Sequence, residues 1–542
     1  MKKFFAFVSK HEKMLFLLVT IANLSPIFIG RFFPTLDGPS HLYNSNLIVN
    51  LLFNSESLTP FYAFNPELVP NWSGHFILVL FSSILPSYMA EKILLLIYFI
   101  GLPYSFRSLI LQLNSKNALV SYMIFPFLYS YPFILGFYNF SLAIGFLFLT
   151  LSYYLRHQNE LYRSTRIKVL LFLLLLCTYF SHVILFAVLT LVIGVYILSE
   201  IIRAVMHEKG NINKSLKNVR RKAIAFFISS AIPMAMFLFF FSKRPSSGSG
   251  GHLPASTLFD ALYNIRPLIA FKISFEKQYT QVIFFVFLSL VLFALVKWVA
   301  SFFKKKDQKE KQIRPKHFTQ NDNEKIVWLF STIFMLALYF ILPNSNSTGS
   351  FVSVRIALLF YLFLLIWLST QDFPKWLMGV SVMTVLVCNG ILISKYIETF
   401  QLHSDVAADC YAASEKIEEK SVVLPLKYGG PPVGLHFSNY LGVDKPVIIL
   451  KNYECVTGYF PLVWNIEEIP ESVYLNLVPG FSMCERMLNL INDNNVDIDY
   501  VFVYGALSMK SEECNDELNS KVMNDYNLVF SNSSCELYKR NL

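Results

Sequence analysis

Eleven apolar runs of close to membrane-crossing length punctuate this chain, at residues 14–30, 92–110, 118–136, 138–155, 167–182, 184–202, 223–241, 281–300, 325–342, 355–370 and 376–395. A helix needs about 20 apolar residues to cross roughly 30 Å of hydrocarbon, where every backbone N–H and C=O must find its partner within the segment. Repeated in this way, such runs exclude a soluble globular fold and predict a polytopic membrane protein. The composition agrees, with 54% hydrophobic and 15% charged residues and a mean hydropathy of +0.48. A net charge of +10 would point to nucleic acid in a soluble protein. Here it is a question of which side of the membrane Lys and Arg occupy, and no nucleic-acid partner is expected.

The N-terminal stretch MKKFFAFVSKHEK places four Lys before the first run, and no small-residue cleavage site follows. It therefore reads as a retained first helix with a cytoplasmic N-terminus. Alternating from there, the cytoplasmic ends and loops (1–13, 107–117, 156–168, 203–222, 297–325 and 371–375) hold 27 Lys and Arg, and the opposite loops far fewer. This bias and the odd number of spans put the C-terminal tail outside the cytoplasm.

The run 75–86, HFILVLFSSILP, has twelve residues and closes on Pro86, too short to cross, so it is placed as an interfacial helix in the first outer loop. A second interfacial helix is expected over 40–53, with Leu47, Ile48, Leu51 and Leu52 on one side, Asn44, Asn46 and Asn50 elsewhere, and Pro39 in its first turn. From about 397 the composition becomes that of a soluble domain. SVVLPL (421–426), PVIIL (446–450), DYVFVYG (499–505) and YNLVFSN (526–532) read as buried strands, and helices are expected near 404–419 and 482–492. The expected architecture is a transmembrane domain over 1–396, α-helical with about eleven spans and two interfacial helices, followed by a small α/β domain over 397–542.

Five of the seven Cys, at 410, 455, 484, 514 and 535, fall in that last domain without a CxxC pair. This argues against zinc or redox motifs of that type, and in an oxidising compartment two bridges and one leftover thiol are expected, their pairing open. Cys177 and Cys388 lie within apolar runs, as packing residues do. The outer loop 242–280 opens on SKRPSSGSGGHLPAS and continues with amphipathic residues 256–275, which fits either a lid or an ordinary connection. The charge run 303–325 reads as a solvated segment facing anionic headgroups.

Chemistry is sought in the first outer loop, which opens RFFPTLDGPSHLYNSNLIVNLL. Asp37 lies directly ahead of the helix expected from Pro39, so it serves either as a cap or as a general base toward an acceptor hydroxyl. His41, one turn on, is open to four readings: orienting Asp37, binding a metal with it, contacting phosphate, or lying at the surface at a helix start. Trp72 in PNWSGH is an interfacial anchor or a sugar-stacking face, and His75 stands with it at the start of the second interfacial helix. His182, in YFSHVI at the outer end of the fifth span, either lines a cavity or packs at a helix end. Arg355, heading the tenth span after NSNSTGSFVSV, either snorkels to headgroups or holds a phosphate in its planar fork.

LDGPSH (36–41) after the first span, NPELVPNWSGHFILVLFSSILP (65–86) leading into AEKILLLIYFIGLPYSFRSL (90–109), GFYNFSLAIGF (136–146) and SFVSVRIALLFYLFLL (350–365) together resemble the GT-C class of polytopic glycosyltransferases. That class contains lipid-phosphosugar-dependent protein mannosyltransferases and aminoarabinose transferases. The likeness covers most of residues 1–395 in layout. Asp37 is followed by Gly38 where the class often has a second acidic residue, and the usual Pro-Pro before the second interfacial helix is absent. The resemblance implies a membrane glycosyltransferase with a polyprenyl-phosphate or polyprenyl-diphosphate sugar donor and a glycan, lipid or protein acceptor. It implies Asp37 as base or metal ligand and Arg355 on the donor phosphate, with Trp72, His75 and His182 as further substrate-binding candidates. A divalent metal is the candidate cofactor, with Asp37 and His41 as candidate ligands.

Two other classes compete. An O-antigen polymerase-like or flippase-like protein would also have many spans, but a flippase would place ionisable residues deep within them, and these spans have few. A scaffold acting through its C-terminal domain would tolerate the loss of Asp37. Usage rich in Phe, Ile, Asn and Lys leans toward a bacterium, hence toward an inner-membrane protein with a periplasmic C-terminal domain.

Overall fold

The structure, a computed structural model, describes residues 2–53, 58–207, 212–243, 251–309, 320–345, 349–469, 473, 483–493, 496–506 and 516–541. In chain order its helices are α1 (Lys2–Asn23), α2 (Gly38–Phe53), α3 (Ser73–Ser82), α4 (Ser87–Leu113), α5 (Tyr131–Ile134), α6 (Tyr138–His157), α7 (Thr165–Ser181), α8 (Val183–His207) and α9 (Ile212–Ser242). There follow α10 (Ala255–Tyr263), α11 (Ile273–Lys309), α12 (Gln320–Ile341), α13 (Val352–Ser369), α14 (Lys375–Ala412), α15 (Glu454–Thr457), α16 (Met483–Asn492) and α17 (Asp516–Asp525). The chain forms two compact units, one of residues 1–24, 98–134 and 140–395, the other of 25–97, 135–139 and 396–542.

In the first unit the apolar helices carry large side chains on surfaces that only hydrocarbon would cover. Phe285, Leu292, Val296 and Trp298 of α11 are exposed, as are Phe227, Ile228, Ile232 and Leu238 of α9. Faces this apolar belong in lipid. α13 differs, being buried along almost its whole length and packed beside α12.

Among the described residues eight helices are long and apolar enough to cross a membrane: α4, α6, α8, α9, α11, α12, α13 and α14. The other three expected spans take other forms. Run 14–30 is cut where α1 ends at Asn23 and a 3₁₀ turn, Ser25–Phe28, takes in Pro26. Run 118–136 becomes a 3₁₀ segment, Ser115–Tyr129, kinked at Asn117 and containing Pro126, followed by the single turn of α5. Proline withholds the N–H that a continuous α-helix needs. Run 167–182 is α7, 17 residues long.

The second unit is built on a five-stranded sheet in the order β3-β2-β5-β7-β6, from β2 (Val422–Tyr428), β3 (Ile448–Ile449), β5 (Tyr500–Gly505), β6 (Tyr526–Ser531) and β7 (Cys535–Arg540). β2 runs parallel to β3 and β5, and β7 antiparallel to β5 and β6. β3 pairs only with Val422 and Val423, so Pro425 meets no ladder on that side of β2. The four expected strands are present. β7 is an addition, and so is a two-stranded ribbon joining β1 (Tyr62–Phe64) to β4 (Leu462–Trp464). The helix expected at 404–419 is no separate element: α14 runs unbroken from Lys375 to Ala412.

The two expected interfacial helices correspond to α2 and α3. α3, ten residues long, is too short to span. α2 is buried from Gly38 to Ile48, and its Asn face does not look to water. Asn44 exchanges hydrogen bonds with Asn452 at 3.0 and 2.7 Å, and Asn46 donates to the carbonyls of Gly442 and Lys445. The amphipathic pattern is thus read by protein on its polar side.

Cys410, Cys455 and Cys535 are buried free thiols, and Cys410 faces Cys535, so the expected bridges are not formed among them. The side chains of Cys484 and Cys514 lie outside the described residues. The Ser/Gly cluster of the 242–280 loop lies outside them at 244–250, and the charge run of 303–325 at 310–319. The following residues, expected as one amphipathic stretch, form α10 and a 3₁₀ turn at Arg266–Leu268.

Candidate active site around Asp37

Asp37 closes the turn that launches α2. Its backbone N–H donates to Leu135 O at 3.2 Å, its carbonyl accepts from Ser40 and His41, and Thr35 Oγ1 accepts from Gly38 N at 3.1 Å. The 135–139 segment comes this close because position 136 is glycine. Its φ is +81°, and a Cβ there would sit 2.6 Å from Asp37 N.

The Asp37 carboxylate is buried, with Oδ1 3.6 Å from His436 Nε2 and the Tyr453 hydroxyl beside it. His436 breaks the 3₁₀ segment Pro432–Gly442 with non-helical backbone angles, which turns its ring onto Tyr453, centroids 4.7 Å apart. Burial, reinforced by the charge of Lys451, pushes His436 down to about 3. At neutral pH it is an uncharged neighbour of Asp37 and forms no ion pair with it.

One helical turn from Asp37, His41 is also buried. Its Nε2 lies 2.9 Å from Gly136 O and its Nδ1 2.8 Å from Glu454 Oε1. His75, on the first turn of α3, mirrors this with Nδ1 3.2 Å from Asn71 O and Nε2 2.8 Å from Glu454 Oε2. Asn139 fixes that helix start by donating to Asn71 O and accepting from Gly74 N at 2.7 Å. Burial opposes the charged form of each group, yet Glu454 and then Asp37 hold His41 above its ordinary range. Against the same burial penalty, His75 and His41 bring Glu454 down to about 2. The ligand-capable atoms of His41, His75 and Glu454 all lie within 4.8 Å of one another.

No family model matches this chain, and no curated protein matches it. Its fold is similar to that of a mycobacterial arabinofuranosyltransferase, AftD. The likeness to that cryo-EM structure has a TM-score of 0.48 at 10% identity, and takes in 98% of this chain and 40% of the other. The chain therefore spans less than half the length of that protein.

Of the residues singled out from the sequence, Asp37, His41 and His75 come together in the second unit, and Trp72 stands half-buried as the residue before α3. Their burial removes the reading of His41 as a surface residue. His182 and Arg355 meet in the first unit: Arg355 Nη1 donates to His182 Nε2 at 3.3 Å, and Phe140 lies 5.7 Å from the guanidinium and 5.1 Å from the imidazole. Gly349 has φ +142°, and a Cβ there would lie 3.7 Å from both Nη atoms of the same guanidinium.

Sequence reasoning missed Glu454, His436 and Tyr453. They stand about four hundred residues from Asp37, in segments with no motif or periodicity of their own. The one available signal was that GLHFSNYLG and NYECVTGYF concentrate His, Tyr and Glu on either side of the second expected strand.

Proposed function

We propose that the protein is a membrane glycosyltransferase in which Asp37 is the general base. It moves a sugar from a polyprenyl-phosphate-linked donor to a hydroxyl-bearing glycan, lipid or protein on the outer face of a bacterial inner membrane, with the C-terminal domain in the periplasm. The observation that carries the reading is a buried carboxylate at the start of α2 whose nearest imidazole is held neutral. A buried carboxylate at a helix start can take the proton of a hydroxyl placed beside it. In the reaction the acceptor O–H loses its proton to Asp37 as the oxygen attacks the anomeric carbon. The C–O bond to the donor phosphate breaks, and polyprenyl phosphate leaves with the electron pair. His436 and Tyr453 hold the carboxylate in place, and the surrounding burial keeps water from competing as acceptor. In the first unit, Arg355, a buried cation hydrogen-bonded to His182, is suited to an anionic headgroup.

The test is reconstitution in liposomes with a panel of polyprenyl-phosphate sugars and simple glycan acceptors. The expected result is a new glycosidic product and an equal release of polyprenyl phosphate. Movement of intact donor between leaflets without product would assign the protein to the transporter class instead.

A further inference from the structure

We propose that His41, His75 and Glu454 form a binding site for one divalent metal ion of the zinc class. His41 Nε2 faces the carbonyl of Gly136 and His75 Nδ1 faces the carbonyl of Asn71, at 2.9 and 3.2 Å. A carbonyl only accepts, so both of these nitrogens must carry the hydrogen. In each neutral ring the remaining nitrogen is then a lone pair, and both lone pairs point at the Glu454 carboxylate from 2.8 Å. Three electron-rich groups converging in a buried place need a cation among them, either two added protons or one metal ion.

Three observations favour the metal. His41 Nδ1 and Glu454 Oε1, though 2.8 Å apart, are not aligned as a hydrogen bond, and both stand buried without such a partner. A shared proton needs that alignment, whereas two neighbouring ligands of one metal ion need only face a common centre to one side. The two-proton alternative places two imidazolium rings side by side, centroids 5.1 Å apart, with His75 fully buried and His41 nearly so. That arrangement is costly by desolvation and by like charge. Finally, backbone carbonyls behind ligating imidazoles, and an aromatic wall such as Phe460 at 5.7 and 5.8 Å from the two rings, are what metal sites use to fix ring orientation and keep the ion dry.

Two nitrogens and one carboxylate suit zinc over magnesium or calcium, which prefer all-oxygen sets. Three protein ligands leave a fourth position for water or a substrate oxygen. The ion would join α2, α3 and α15, and so fix the turn that carries Asp37. The site stands on this geometry alone and does not depend on the sugar-transfer reading.

The full-length protein in detergent is stripped with chelator, incubated with zinc chloride, desalted and analysed for metal. About one equivalent is expected to remain, with a rise in the thermal midpoint, and Co(II) in its place should give the visible absorption of a low-symmetry site. Glu454→Gln and His75→Asn, with helicity unchanged by circular dichroism, should retain at least about tenfold less metal and lose the thermal response. Wild-type protein that retains no zinc and whose midpoint is unmoved by zinc or chelator overturns the proposal and leaves a proton-bridged clamp. Variants that hold as much metal as wild type overturn it equally. Neither result depends on an activity assay, so the Asp37 reading is judged separately.

Discussion

Gly136 shows how a single residue governs the site. Its left-handed backbone admits other residues only with strain, and a Cβ would press on Asp37 N. Gly136→Ala should therefore cost about 1–2 kcal/mol from backbone strain alone. By shifting Asp37 it should also lower sugar transfer about 10²-fold, seen as a fall in kcat with intact membrane expression. Arg355 supports a second prediction at this scale. If its fork holds an anionic headgroup, Arg355→Lys keeps the fold but loses most of the activity, whereas an anchor that only snorkels tolerates Lys. Asp37 and His41 were legible because four residues at the head of a helix put two polar side chains on one face. Glu454 was not, since its link to them is made only by tertiary folding.

At the scale of elements, α2 is held to the C-terminal segment through a buried tyrosine. Tyr43 Oη donates to Val447 O at 2.7 Å, accepts from Ile449 N at 3.0 Å and meets Tyr62 Oη at 2.9 Å. Tyr43→Phe would leave a buried N–H and a buried carbonyl unpaired beside β3, and should destabilise the protein by about 1–3 kcal/mol, read as a lower thermal midpoint. The sequence pattern found α2 but misjudged its surroundings, because periodicity reports that a face is polar and not whether water or protein satisfies it. Likewise β7 was overlooked because CELYKR lacks a continuous apolar run, and β1 because three residues are too few to show a period. The long strands β2 and β5, apolar along most of their length, were plain.

For the whole molecule, eight of the eleven expected spans are single helices long and apolar enough to cross a membrane, while runs 14–30 and 118–136 are interrupted near Pro26 and Pro126 and run 167–182 is the 17-residue α7. Hydropathy counts residues, whereas a helix needs an uninterrupted hydrogen-bond ladder, and this is why the two diverge. Orientation is a separate matter, argued from the Lys and Arg bias. In a cysteine-free background, a cysteine in place of the exposed Asn159 should react with an impermeant maleimide only after the cells are opened. One in place of the exposed Glu419 should react once the outer envelope alone is permeable. The reverse pattern would invert the topology and put Asp37 on the wrong side for an outer-face acceptor.

The central claim is that Asp37 takes the acceptor's proton, and a single-turnover comparison of wild type with Asp37→Asn at saturating donor tests it most directly. The amide keeps the shape and the hydrogen-bonding ability of the side chain but cannot serve as base. The account predicts that donor binding is unchanged while the rate of sugar transfer falls by about 10²–10⁴-fold. A variant that transfers sugar within about tenfold of the wild-type rate would contradict it and reduce Asp37 to a helix cap.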